Sequence, residues 1–91
     1  MQVEILETHG SIAEGTFEVI LSVGQYLVFT RQRGHQMHKG YAEDTKGRRA
    51  YVPQSEFVAA IRAANLRLNS ERAKISHAPE KSPATQLQLF P

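Results

Sequence analysis

The fold of this chain is decided by residues 16–30, TFEVILSVGQYLVFT. Two β-rich runs flank Gly24 and Gln25, and a glycine at the first central position suits a two-residue type II′ hairpin turn. The register that follows pairs Val23 with Tyr26, Leu21 with Val28 and Ile20 with Phe29. Both faces of the hairpin then carry apolar side chains. This predicts a central hairpin covered on both sides, as in a small barrel or in a sheet beneath a helix.

Weaker strand patterns lie on either side of this hairpin. Apolar and polar residues alternate over residues 2–8, which predicts a half-buried first strand. Residues 31–39 are polar and basic, and they are interpreted as a strand end followed by a loop. Residues 40–43 and 48–52 are predicted as weak strands, joined by a turn in which Asp44 opens and Gly47 takes the left-handed position.

A helix is predicted after Pro53, with Gln54 or Ser55 near its cap and Glu56 favourable in its first turn. An apolar stripe at helical spacing is expected to pack on the sheet, and it consists of Phe57, Ile61, Ala64 and Leu68. The polar residues expected on or near the opposite face are Arg62, Asn65, Asn69 and Arg72. The helix is expected to end between residues 69 and 74.

The predicted fold class is therefore α+β. It consists of an antiparallel meander of four or five strands, for which closure into a small SH3-like barrel is an alternative, plus one C-terminal helix and a disordered tail. The predicted organisation is a globular domain over residues 1–72, a flexible linker over 73–85 and a terminal peptide over 86–91. Residues 77–85 hold two prolines and no large apolar residue, and the expected reach of a flexible linker of roughly ten residues is about 15–20 Å.

Bulk composition restricts the class of protein. The 91 residues suit one domain, and the absence of cysteine excludes disulfides and thiolate metal sites. The start of the chain lacks a basic segment followed by an apolar run, and no apolar run is long enough to span a membrane. We therefore expect a cytoplasmic protein without a membrane partner. The sequence leaves the oligomeric state open.

The terminal peptide is an apolar segment at the end of a polar tail, and it is formed by Gln86, Leu87, Gln88, Leu89, Phe90 and Pro91. Exposed apolar groups that do not join a core usually mark a partner site. Gln86, Leu87, Leu89 and Phe90 resemble, at each defining position, the peptide by which bacterial replication and repair proteins bind the sliding clamp. Gln88 departs from the usual Ser or Asp at the tolerant middle position. The resemblance implies that residues 86–90 bind the bacterial sliding clamp.

Two other interpretations of the terminal peptide remain open. Leu87 and Leu89 alternate, so the tail could instead pair as a last strand on a sheet edge, in its own domain or in a neighbouring copy. Pairing with a neighbouring copy would make this a self-associating structural protein. A different peptide receptor is the other alternative. In the clamp interpretation the protein is an adaptor or modulator in replication, in repair, or in a phage or mobile element. It would either recruit another protein to the clamp or block polymerases.

A second candidate site lies in the basic stretch between residues 31 and 51. The cations are Arg31, Arg33, Lys39, Lys46, Arg48 and Arg49, and the aromatic side chains beside them are Tyr41 and Tyr51. Basic loops with aromatic residues on a small β-domain are a plausible nucleic-acid surface. The alternative function is thus a small module that binds DNA or RNA, and a solvated hairpin rim is the simpler interpretation.

Signals for catalysis are weak. His35 and His38 have the spacing of a metal pair, but no cysteine or carboxylate pair accompanies them. No set of nucleophile, base and orienting group is apparent. We therefore expect a protein that is not an enzyme and that needs no cofactor.

Overall fold

The computed structural model describes residues 2–76. It has four strands and one helix, in the order β1 (Val3–His9), β2 (Glu18–Val23), β3 (Tyr26–Arg33), β4 (Gln36–Glu43) and α1 (Gln54–Ser76). The strands form one antiparallel sheet in sequential order, β1-β2-β3-β4. The predicted α+β class is confirmed. The barrel alternative is wrong, because β1 and β4 lie at the two edges of an open sheet.

The central hairpin has the predicted register. Val23 pairs with Tyr26, Leu21 with Val28 and Ile20 with Phe29. Gly24 has φ of 59°, a left-handed conformation that costs glycine little because it has no Cβ. The short turn leaves β2 and β3 no freedom to slip, so the alternation of residues 16–30 determines which side chains face the helix.

The third and fourth strands extend further than the sequence predicted. Residues 31–39, interpreted as a strand end and loop, are mostly strand, and only Gly34 and His35 separate β3 from β4. The positive φ of Gly34, 62°, allows this tight reversal. Residues 48–52 do not form a strand. They make one isolated bridge, between Glu43 and Arg49, and the Ala50 amide donates to the Ala42 carbonyl.

The core lies between the sheet and α1. One end of it is formed by Phe17, Val19, Leu21, Met37, Ala64 and Leu68. The other end is formed by Val23, Val28, Ala42, Val52 and Ala60. Thr30 is the buried polar residue among these strands, and its hydroxyl donates to the Val19 carbonyl at 2.8 Å. Of the helical stripe predicted from the sequence, Ala64 and Leu68 are buried in this core and Phe57 packs against it. Ile61 is half-buried and belongs to neither cluster, whereas Ala60, which was not predicted, is fully buried.

Helix α1 differs from its prediction in two places. It continues to Ser76, beyond the expected end at residues 69–74 and into the predicted linker. Asn65, expected on or near the outward face, is half-buried instead: its Oδ1 accepts from the Met37 amide at 2.9 Å, and its Nδ2 donates to the Ile61 carbonyl at 3.1 Å. Arg72 also reaches back to the sheet and donates to the His35 carbonyl.

Only one face of the sheet is covered by an element of residues 2–76. The prediction that both faces of the central hairpin are covered is therefore wrong for the part of the chain that the structure describes. Alternate residues of the four strands form the other face, which we call the outer face. Within residues 2–76 no helix is long and apolar enough to cross a membrane.

Candidate functional site

The predicted clamp-binding peptide, formed by Gln86, Leu87, Gln88, Leu89 and Phe90, lies outside the described residues. Helix α1 runs to Ser76, ten positions before Gln86. The domain that precedes the peptide fills its core with side chains from the sheet, from α1 and from the loops around them. Clamp binding by this peptide stays a prediction.

The eight residues predicted to contact nucleic acid fall in three locations, and Lys39 belongs to two of them, because it lines a depression of about 490 Å³ together with Arg31, Arg33 and His38. Tyr41, Arg31, Arg33 and Arg49 belong to the outer face or its rim. Phe29 and Tyr41 are a cross-strand pair whose rings stack, with centroids 4.3 Å apart and an interplanar angle of 12°. The Arg49 guanidinium lies over the other side of Tyr41, at 4.4 Å from the ring centroid. The result is a stack of cation, tyrosine and phenylalanine across β4 and β3.

A shallow depression of about 140 Å³ lies beside this stack. Its lining includes Glu18, Ile20, Phe29, Arg31 and Tyr41. Glu18 and Arg31 are direct cross-strand partners, as are Ile20 and Phe29, so acidic, basic and apolar groups meet within two rows of the sheet. The depression therefore suits a partner that brings both apolar and charged groups.

Lys39 also lies beside Tyr51, against the N-terminal part of α1. The Lys39 ammonium is 5.0 Å from the ring centroid of Phe57 and 5.7 Å from that of Tyr51. Tyr51 is 94% exposed, so the ring that makes this cation–π contact with the Lys39 ammonium belongs to a side chain that is otherwise in solvent. Val52, Pro53 and Val58 continue a shallow groove beside them.

Lys46 and Arg48 form the third location, the turn after β4. The Asp44 carboxylate accepts from the Lys46 amide at 2.8 Å and from the Arg48 amide at 3.0 Å, and the Gly47 amide closes the turn on the Asp44 carbonyl. The amide of Arg48, then that of Lys46, hold the pKa of Asp44 below its usual value, because both donate to its charged form. The predicted turn chemistry of Asp44 and Gly47 is confirmed.

The positions of the eight predicted residues leave the prediction of nucleic-acid binding untested. The structure brings Arg31, Arg33 and Lys39 together around one depression, whereas Lys46 and Arg48 lie in the turn after β4 and are not part of its lining. His35 lies in the β3–β4 turn and His38 on exposed β4, and no group of three or more potential metal ligands occurs among residues 2–76. Binding of DNA or RNA stays a prediction.

The site residues predicted from the sequence did not include Glu18, Ile20 and Phe29, which line the outer face. The signal was available, because the predicted register already placed Ile20 beside Phe29, on the face opposite Leu21 and Val28. Their apolar character was assigned to a second covering layer, which the described part of the chain does not contain.

No family model, curated protein or solved structure matches this chain.

Proposed function

We propose that this protein is a non-enzymatic adaptor that docks on the bacterial sliding clamp through its C-terminal peptide. One observation carries the proposal: Gln86, Leu87, Leu89 and Phe90 match every defining position of the peptide pattern that they resemble. The chemistry fits a pocket ligand. Leu89 and Phe90 fill an apolar pocket, while Leu87 and the Gln86 amide fix the register.

The architecture of the preceding domain supports this proposal. Residues 2–76 bury Leu21, Met37 and Leu68 completely or nearly so, between the sheet and α1. The core described within residues 2–76 is formed by side chains of that segment. An apolar terminal segment that is exposed would be available to a partner.

The expected affinity is modest. Burial of three large apolar side chains contributes about 5–9 kcal/mol gross, at about 1.5–3 kcal/mol each. Ordering a disordered segment costs about 2–5 kcal/mol. The peptide alone should therefore bind with a dissociation constant of roughly micromolar or weaker. Several copies on one oligomeric partner, or a second contact from the domain, would tighten the binding.

The protein would act in replication, in repair, or in a phage or mobile element that uses the host clamp. In any of these settings, docking on the clamp allows two roles. In the first, the domain carries another protein to the clamp. In the second, the peptide occupies the clamp pocket and excludes polymerases. Competition against a polymerase for a fixed amount of clamp separates them, because only the second role requires displacement at the protein's working concentration.

The test is isothermal titration of the full chain into purified bacterial sliding clamp. The variant Leu89→Ala plus Phe90→Ala removes the pocket ligands and should abolish the signal. The matched control is Gln88→Ala at the tolerant middle position, which should keep the affinity within about threefold, a change below about 0.7 kcal/mol. Absence of binding by the unmodified chain, or equal binding by the double variant, would sink the proposal.

A further inference from the structure

The outer face has an apolar centre. The register places Ile20 of β2 beside Phe29 of β3, and Phe29 beside Tyr41 of β4. Leu27 lies two residues before Phe29 on the same face. These side chains are half-buried by their neighbours, and within residues 2–76 no element packs over them. A row of Ile, Phe and Tyr across three strands is a surface that a partner can bury.

Charges on this face are divided between its two sides. Glu4, Glu7 and Glu18 lie on the β1–β2 side, and the β3–β4 side has Arg31, Arg33 and Arg49 together with the carboxylate of Glu43. The Glu7 carboxylate accepts from the His9 imidazole at 2.7 Å, which confirms that alternate residues of β1 share the face. Among residues 2–76, Glu4, Glu18, Arg31 and Arg33 make no ion pair within 4 Å.

A polyanion does not fit this surface well. Glu43 adds a fourth carboxylate on β4, so the face has more acidic than basic side chains. The ring faces that bases would need are also occupied, since Tyr41 is stacked between Phe29 and Arg49. Single-stranded nucleic acid binds flat aromatic faces within a basic groove. The centre of the outer face, from Ile20 to Tyr41, provides neither, and the depression lined by Arg31, Arg33, His38 and Lys39 lies beyond it along β3 and β4.

We propose that the outer face binds a second copy of this chain, in a two-fold symmetric dimer in which the two sheets pack face to face. A two-fold axis parallel to the strands, between β2 and β3, turns the β1–β2 side of one copy onto the β3–β4 side of the other. In the rows of Glu18 and Ile20 the face is then complementary to itself, which is the requirement for an isologous interface, whereas in the row of Leu27 Glu43 of one copy faces Glu4 of the other.

The register shows which rows meet in this dimer. Glu18 and Arg31 are in one row, so Glu18 of each copy faces Arg31 of the other. Ile20 and Phe29 are in the next apolar row, so Ile20 packs on Phe29 of the second copy. Glu7 shares that row and faces the rim where Arg49 covers Tyr41. Aligned sheets pack at an angle of about 30°, which shifts these partners along the strands without exchanging the two sides.

The size of the face sets the expected strength. Four strands about 4.8 Å apart and about six residues long at 3.3 Å each give roughly 400 Å² of sheet plane per copy. Two copies together give roughly 800 Å², which is below the roughly 1,200 Å² in total that the smallest stable interfaces bury. We therefore expect a reversible dimer with a dissociation constant on the order of 100 μM.

This dimer would carry two C-terminal peptides. If the clamp proposal is correct, the dimer has two linked peptides. Once the first peptide is bound to a clamp, the second binds at a high effective concentration, which raises the overall affinity. The dimer itself does not rest on that proposal, because its evidence lies within residues 2–76.

The first measurement is sedimentation equilibrium of the full chain from roughly 10 μM to roughly 1 mM, a range that brackets the expected dissociation constant. The weight-average mass should rise from that of one chain toward that of two, and added salt should weaken the association because the rim pairs are partly solvated. A monomer throughout this range would overturn the proposal whatever the variants show.

Two charge variants then test the geometry. Arg31→Glu plus Arg49→Glu makes the face acidic, and Glu7→Lys plus Glu18→Lys makes it basic. Each alone should weaken dimerisation at least tenfold, because like charges then face each other. An equimolar mixture should restore association to the wild-type level or above. Circular dichroism identifies any variant that fails to fold.

The mixture distinguishes a lost charge pairing from a lost fold. Restoration requires that the two sides meet across the interface, and loss of fold cannot produce it. Failure of the mixture to associate, with both variants folded, would overturn the face-to-face arrangement. If the wild type binds a single-stranded oligonucleotide and Arg31→Glu plus Arg49→Glu abolishes that binding while dimerisation is unchanged, the face is a nucleic-acid surface and the proposal is wrong.

Discussion

Asn65 connects the helix to the edge strand β4, and its replacement by alanine should destabilise the domain. The Met37 amide points away from β3 and donates to Asn65 Oδ1 at 2.9 Å. Asn65→Ala leaves this part-buried amide without its protein acceptor, which costs about 1–3 kcal/mol. Because the bond is only partly buried, water replaces some of it, and we expect the lower half of that range.

The matched control is Asn69→Ala, one turn further along α1. Asn69 is exposed and accepts only from the Arg72 guanidinium in the described structure. Both substitutions gain the same helix propensity, about 0.6 kcal/mol, so their difference reports the part-buried hydrogen bonds of Asn65, with the Met37 amide and the Ile61 carbonyl, against the exposed bond of Asn69. The free energy of unfolding of Asn65→Ala should lie about 1–2 kcal/mol below that of Asn69→Ala.

Urea unfolding followed by far-UV circular dichroism measures this difference, and it corresponds to a shift in Tm on the order of 5–10 °C for a domain of this size. Amide hydrogen exchange gives a local readout, since Met37 should lose protection in Asn65→Ala and keep it in Asn69→Ala. Equal free energies for the two variants, with unchanged exchange at Met37, would refute the role assigned to Asn65.

Three further predictions concern the same domain. Leu68→Ala should lower the free energy of unfolding by about 2–5 kcal/mol, since Leu68 is fully buried and leaves a cavity, and a loss below about 1 kcal/mol in urea unfolding would contradict its place in the core. Gly10→Ala should destabilise the domain more than Gly15→Ala does, by at least about 1 kcal/mol. Both glycines have positive φ, but only at Gly10 would the new methyl group meet backbone atoms across the loop. Equal Tm values for the two variants would count against this. The carboxyl of Asp44 should titrate below its usual pKa in an NMR pH series, because the Arg48 amide stabilises its charged form. Because the pKa of Asp44 is lower in the folded state, its contribution to stability is complete above the unfolded pKa, near pH 4, and is lost as the pH falls through the folded pKa. An Asp44 titration midpoint at or above the usual pKa would refute this prediction.

The sequence predicted the central hairpin correctly because turn chemistry and alternation agree there. Gly24 fixes the turn, and each apolar residue of β2 has an apolar partner in β3 or, for Val19, the buried Thr30. The helix followed for a similar reason, since Ala64 and Leu68 recur on one face and their burial is confirmed.

The β3–β4 hairpin escaped prediction because its exposed side is polar. Arg31 and Arg33 lie on the outer face, so the stretch lacks the apolar alternation that signals a strand, and Gly34 was interpreted as part of a loop. Asn65 was misplaced for a different reason. Helical spacing alone does not show that a polar side chain will reach an unpaired amide at a strand edge, because that amide exists only once β4 is in place.

The pattern of apolar residues on the central hairpin does not determine what covers the outer face. Apolar residues on both sides of a hairpin indicate burial on both sides, but they do not say whether the second cover belongs to the same chain. In this domain α1 covers one side only, among the residues described. The sequence predicted that Ile20 and Phe29 would be neighbours, and the open sheet shows that any cover over them comes from outside residues 2–76.

Clamp binding through the C-terminal peptide is tested by titrating the full chain and a shortened chain of residues 1–76 against the bacterial sliding clamp. Both forms should give the same cooperative unfolding, since the core is built from residues 2–76. The full chain should bind with a dissociation constant of roughly micromolar to tens of micromolar, and the shortened chain should not bind at the same concentrations. Equal binding by the two forms would place the clamp contact in the domain, and no binding by either would contradict the proposed function.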